Sequence, residues 1–281
     1  MTIPRAGFTL VETIVALVLS SVVIILVSTT FLVQNRFYSS QTLYAGAHDN
    51  ARSATERIAS EIRSVMEDGF VVAGRRTLAL RSPIVVGMVC DRQGNDVYVH
   101  FKGGVPALDT DEAAGVAVRD VTTGEWTYRN STWATVDGGA SNAAQRCAAR
   151  GADTTGATAE FRMVIQLQSL YGAPPNSGAA LMLFRQSTFK ILDSQLDPGR
   201  LALFRQIYGG SLVEFASGMD TSAQFQYRTG GTTYADTVIA ASLDDIDAVR
   251  IVADARKRQR SGGQEDIRFG WSVNVALRNV P

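Results

Sequence analysis

The sequence predicts an α+β chain, a long N-terminal α-helix packed on an antiparallel β-sheet domain, and three observations predict it. An apolar run from Phe8 to about Val33 holds no Lys or Arg and a single acid, Glu12. Beyond it Leu43, Ala47, Ala51, Ala54, Ile58, Ile62 and Val65 recur at intervals of four and three, which is the spacing of one helix face. From Asp68 onward the pattern becomes short apolar or alternating runs bounded by Gly, Pro, Asn and Asp, as expected of strands and turns.

The first run is 26 residues long, more than the roughly 20 needed to cross a bilayer. A carboxylate at that depth costs on the order of 2.5–3.5 kcal/mol on insertion scales, so Glu12 calls for a partner. The segment offers no side-chain cation, which leaves a backbone amine on another copy of such a helix. A secretory signal peptide has a shorter apolar region followed by a small-residue cleavage site; this run is too long and no Ala-x-Ala follows it. An ordinary signal anchor accounts for the length and for Arg5 on the cytoplasmic side, but gives Glu12 no purpose.

Gly7-Phe8-Thr9-Leu10-Val11-Glu12 resembles the processing and methylation motif of class III signal sequences, found in type IV pilins and type II secretion pseudopilins. The resemblance implies that a prepilin peptidase cuts after Gly7 and methylates the new amine of Phe8. It implies too that Glu12 neutralises the Phe8 amine of a neighbouring subunit during assembly. The chain would begin as a single-pass inner-membrane protein with a cytoplasmic N-terminus and an extracytoplasmic domain, and would end in a cell-surface pilus. Many major pilins carry a helix-breaking proline near position 29, where this chain has Thr29.

The helix is expected to run unbroken from Phe8 to Met66, with Gly46 its one interruption and Arg52, Glu56, Arg57, Glu61 and Arg63 on the solvent side. Expected strands follow at Phe70–Val72, Thr77–Leu80, Ile84–Val89 and Val97–Phe101, the last two joined through Gln93-Gly94-Asn95-Asp96. Val116–Val121 and Trp126–Arg129 read as another hairpin, and residues 137–158 as a long surface loop of small polar residues. Strands resume at Phe161–Leu167, Leu181–Phe184, Leu201–Gln206 and Phe225–Arg228. Ile246–Ala253 and Phe269–Leu277 form a last pair joined by a basic loop.

Cys90 and Cys147 both follow the membrane segment. An oxidising compartment there permits a disulfide, which would close a long loop and stabilise by roughly 4 kcal/mol on the chain-entropy model; two free thiols are the alternative. The histidines, His48 and His100, offer no metal site. No phosphate loop, zinc motif, nucleophile elbow or histidine-based triad is present, so no enzyme and no cofactor is expected. Asp109, Asp111 and Glu112, and Asp244, Asp245 and Asp247, read as solvated turn acids without the rest of a calcium loop. Arg256, Lys257, Arg258 and Arg260 form one basic run, read as a solvated hairpin tip. The formal net charge of +0 gives no support to a nucleic-acid partner.

The closing Val273-Asn274-Val275-Ala276-Leu277-Arg278-Asn279, paired with Ala248-Val249-Arg250-Ile251, is similar to PilW-type minor pilins and, more distantly, to J-type minor pseudopilins. The expectation is a leader at 1–7, a transmembrane and filament-core helix at 8–33, an amphipathic helix at 34–66 and a β-rich domain at 67–281. Its expected role is that of a minor pilin at low copy, at the tip or in an initiation complex, with the major pilin, other minor pilins and a prepilin peptidase as partners. A J-type pseudopilin is one alternative. Another is a pilus-mounted adhesin or DNA-binding module, which exposed aromatics near Trp126, Tyr128 and Trp133 would support.

Overall fold

The structure is a computed structural model in which residues 9–93, 96–101, 113–129, 134–136, 146–150, 162–166, 177–257 and 267–277 are described. Helix α1 spans Leu10–Ser64, 55 residues, about 82 Å at 1.5 Å per residue. No proline falls inside it, and Gly46 alone costs about 1 kcal/mol, too little to break so long a helix. Within its apolar half the hydroxyls of Ser21, Thr29 and Thr30 donate to carbonyls one turn back, so each finds its acceptor within the helix. The helix stops at Ser64, two residues short of the expected Met66. Val65 turns extended, and Asp68 at φ 58° steers the chain into the sheet.

The strands are β1 (Phe70–Gly74), β2 (Thr77–Gln93), β3 (Asp96–Phe101), β4 (Gly115–Arg119), β5 (Trp126–Arg129), β6 (Ala134–Val136), β7 (Arg162–Gln166), β8 (Ala180–Asp193), β9 (Leu201–Ile207), β10 (Val213–Met219), β11 (Gln224–Arg228), β12 (Ala248–Val252), β13 (Ala255–Lys257), β14 (Ile267–Phe269) and β15 (Ser272–Ala276). All described pairings are antiparallel. The large sheet runs β14-β13-β10-β9-β8-β2-β3-β7-β6, with β1 on β2 and β4 joining β8 to β5; β11-β12-β15 form a second, small sheet.

Several strands differ from their sequence reading. The two strands expected on either side of Pro83 are one, β2, because Pro83 sits where the register with β8 slips between Pro83 and Val85, a bulge that tolerates a missing N–H. β8 runs nine residues past Phe184, burying Ser187, Phe189 and Ile191 on alternate positions. The loop expected between the last two strands instead contains β13 and β14, which pair with each other and, through Met219, with the large sheet. Arg256 and Lys257 therefore lie in a strand; Arg258 and Arg260 lie outside the described residues, as do Asp109, Asp111, Glu112 and Trp133. Trp126 and Tyr128 are not an exposed aromatic surface. They pack against Ala114, Ala117, Met182 and Phe184.

The main core forms where the second half of α1 meets both sheets. Ala54, Ile58, Ala59, Ile62 and Val65 pack with Leu78, Leu80, Phe189 and Leu203 of the large sheet and with Phe225, Val249 and Val275 of the small one. Glu61, expected on the solvent side, is 5% exposed. Its Oε1 accepts from Arg205 on β9 at 2.6 Å and lies 3.6 Å from Arg57 Nε.

Candidate functional site

At the start of α1, Thr9 and Glu12 close a capping box. The Glu12 N–H donates to Thr9 Oγ1 at 3.4 Å, while the N–H and hydroxyl of Thr9 donate to Glu12 Oε2 at 3.0 and 2.9 Å. This supplies partners to orphan groups at the helix start that a bilayer cannot solvate. Thr9 as the partner of Glu12 was missed by the search for a cation, although Thr-x-x-Glu before an apolar run is its sequence signal. Both bonds end on Oε2, and an ionised carboxylate has acceptor capacity on its second oxygen. Gly7 and Phe8 lie outside the described residues. Between Leu10 and Thr42 the helix holds an 18-residue stretch apolar enough to cross a membrane, with mean hydropathy 2.8 and none of that stretch buried in the protein.

The second predicted pair is 57 residues apart in sequence, and Cys90 and Cys147 are joined as a disulfide. Cys90 ends an apolar stretch of β2. Cys147, within the segment expected to be a surface loop, is instead fully buried in a short helical turn. The turn has further anchors. Asp91, beside Cys90, accepts from Arg146 at 2.9 Å and Arg150 at 3.3 Å, and the Arg146 guanidinium lies 4.6 Å from the Tyr98 ring centre. Burial works against ionisation of Asp91, but these arginines and the Arg92 backbone outweigh it and hold the carboxyl below its ordinary range.

A third region was only half legible. Asp244, Asp245 and Asp247 line a cleft of about 660 Å³ together with Val65, Met66, Glu67 and Asp68 at the far end of α1. Asp247 accepts from Arg228 Nε at 2.8 Å and is thus paired rather than merely solvated. Burial, then the charge of Asp244 and a hydrogen bond to it, push the Asp68 carboxyl up to about 6. Beside this cleft Tyr128 donates to the Glu67 carbonyl at 2.9 Å under the Arg81 guanidinium. Among the described residues no group of three or more His, Cys, Asp or Glu is arranged to hold a metal. His48 sits edge-on to Trp271 and 3.6 Å from Asp49, and His100 lies in β3.

Residues 4–28 match the prokaryotic N-terminal methylation motif. That stretch contains Gly7, Phe8 and Glu12 and opens the apolar helix, and with an antiparallel domain behind it the chain is a type IV pilin-like protein. The motif implies processing by prepilin peptidase and assembly with other pilins, in a family that is generally non-enzymatic, and the helix fits membrane anchoring. No curated protein and no solved structure matches the chain.

Proposed function

We propose that this type IV pilin-like chain is a minor pilin, incorporated at low copy at the tip or in an initiation complex that supports pilus assembly. The observation that carries the reading is Glu12, the one charge on the exposed apolar run that ends at Val33, five residues beyond Gly7 in the methylation motif. On this reading residues 1–7 are removed, Phe8 is the methylated N-terminus, and residues 8–33 form the filament core. Residues 34–66 carry the helix into the domain at 67–281. Assembly brings the Phe8 amine of a neighbour to the Glu12 oxygen that Thr9 does not use. Burying the acid is tolerable once a cation meets it, and the pairing fixes the register between subunits. A domain with fifteen strands among its described residues repeats poorly along a dense shaft, which favours the low-copy position.

The test is intact mass and N-terminal sequence of the protein recovered from sheared surface filaments. A chain beginning at methylated Phe8, present in small amount relative to the main subunit, is the expected result. Recovery of the full-length chain from filaments overturns the processing reading. A processed chain missing from every filament fraction overturns the minor-pilin role.

A further inference from the structure

The small sheet turns one face to α1, through Phe225, Val249 and Val275, and the other face away from it. On that outer face the registers of β11, β12 and β15 run without a slip and place Gln226, Arg250 and Asn274 in one row across the three strands. Gln224 and Ser272 stand in the row on one side and Arg228 in the row on the other. Arg250 is therefore at the centre of the face, with an amide on each flank.

This arginine is fixed in place. Its Nε donates to Asn274 Oδ1 at 2.9 Å, and the guanidinium lies 3.9 Å from the ring centre of Tyr234. The loop after β11 brings Tyr234 back over the strand, where Ala235 and Tyr227 exchange backbone hydrogen bonds. One edge and one flat side of the fork are held, while its Nη groups donate to nothing among the described residues. The charge has no counter-ion there either. Both acids at the rim of the face are engaged by other groups. Asp236 accepts from Gln226 at 3.0 Å and lies 3.7 Å from Arg75, and Asp247 accepts from Arg228 at 2.8 Å.

A solvated arginine keeps its rotamer freedom and needs no such support. Here a neutral amide and a neutral ring orient the fork without neutralising it, which lowers the ordering cost of receiving an anion. The planar fork suits a carboxylate, which it can grip through two parallel N–H bonds. The rest of the face narrows the ligand. Of Arg75, Arg228 and Arg250 only the last lacks a carboxylate partner, and Asp236 and Asp247 repel a chain of closely spaced charges, so a nucleic acid fits poorly. Tyr234 is engaged by Arg250 and lies 6.0 Å from Arg228, so it is not free to anchor a protein partner. Beside the fork the face offers amides and a hydroxyl. Asn274 keeps its Nδ2 donor, Gln226 its Oε1 acceptor, and Ser272 is exposed. Strands about 4.8 Å apart present these donors and acceptors side by side, as vicinal sugar hydroxyls require.

We propose that the outer face of the small sheet binds an acidic glycan, whose uronic-acid carboxylate is received by Arg250 and whose neighbouring hydroxyls bond Asn274, Gln226 and Ser272. Tyr234 and the side-chain oxygen of Asn274 are positioning groups that aim the Nη donors outward. The site goes beyond the assembly role and does not depend on it, since none of its residues belongs to α1.

The test titrates labelled trigalacturonate with the full chain in mild detergent and follows anisotropy, beside equally labelled maltotriose and triglutamate. The expected result is binding of trigalacturonate well above the other two, weakened by salt and reduced about tenfold or more by Arg250→Gln, which removes a charge-assisted contact. Asn274→Asp is the second variant. It is nearly isosteric and sets a carboxylate where Arg250 already bonds, so it should abolish binding while the urea midpoint stays at or above that of the parent. Arg119→Gln is the control, on β4 of the large sheet, where Nε donates to the Gly124 carbonyl, and it should bind as the parent does. No binding of trigalacturonate, or binding that survives Arg250→Gln or Asn274→Asp in a folded chain, overturns the site. Triglutamate binding as tightly as trigalacturonate overturns the glycan in favour of an acidic peptide, and maltotriose binding as tightly removes the carboxylate from recognition and overturns the proposal.

Discussion

The two halves of α1 share one unbroken hydrogen-bond ladder and obey opposite rules. From Leu10 to Val33 the side chains are exposed all round and, Glu12 apart, carry no charge on an overwhelmingly apolar surface, so this half is matched to a solvent other than water. From Ala51 to Val65 only one stripe is apolar, and the sheets cover it. The outer half keeps its polar side chains within one turn, as Thr9 does for Glu12. The inner half sends Glu61 across to Arg205, 144 residues away in sequence. A polar group in the first half can therefore change assembly with no effect on the domain's stability. In the second half the same kind of change strikes the fold.

The largest expected effect tests the first half. Glu12→Ala removes an insertion penalty of roughly 2.5–3.5 kcal/mol, so the chain should enter the membrane at least as well as the parent and keep its disulfide. It should nevertheless fail to join or initiate filaments, scored as piliation in a deletion strain. Wild-type piliation would remove the acid from assembly altogether.

Paired truncations break the comparison more directly. Ile58 is completely buried against both sheets, so Ile58→Ala should lower stability by about 2–5 kcal/mol. Ile24→Ala deletes the same atoms from an exposed position and should leave the urea midpoint of the detergent-held chain within error of the parent. Equal losses at the two positions would mean that the outer half also packs on the domain.

Much of this division was legible in sequence because it is periodic and local. The stripe from Ala51 to Val65 was visible, and so were the β4–β5 hairpin and the β2–β3 pair. What escaped was set at long range. Glu61 reads as half of a surface pair with Arg57, and nothing near it in sequence announces Arg205. The second half of β8 was hidden because Arg185, Gln186, Thr188 and Lys190 alternate with Ser187, Phe189 and Ile191, a polar-rich run whose apolar face is short. In β10 the alternation is spoiled by two register slips near Glu214 and Gly218, and the strand left no readable pattern. At the candidate site Glu12 stood out by charge, whereas Thr9 required the capping rule.

A smaller effect is expected from the disulfide, in a part of the domain remote from α1. The entropy of closing a 57-residue loop sets an upper figure of roughly 4 kcal/mol. The helical turn at Cys147 is also tied by Arg146 and Arg150 to Asp91, so part of that restraint survives reduction. The double Cys90→Ser, Cys147→Ser chain should unfold at lower denaturant by about 2–3 kcal/mol, and adding Asp91→Asn should lose more than the sum of the separate changes. Strict additivity would show that the arginines do not hold the turn.

The smallest effect lies where the inner half of α1 ends. Asp68 has an ordinary pKa near 3.8 and is held up at about 6 in the fold by burial and by Asp244. A carboxyl raised on folding contributes its stability fully below about pH 3.8, and that contribution is lost as pH rises through 6. At pH 8 the folded chain therefore carries a penalty that Asp68→Asn should remove. The full shift corresponds to about 3 kcal/mol, but the cleft is open to water and screening reduces this to about 1 kcal/mol. Asn also tolerates the left-handed backbone at this position, φ 58°. Urea unfolding of the full chain in mild detergent should find the Asn variant more stable by about that amount at pH 8, with the gap closing as pH falls through 6 toward 4. A gap that persists unchanged at pH 4 would assign the gain to the backbone instead, and the Asp68–Asp244 repulsion would then have no part in limiting the domain where α1 hands over to the sheet.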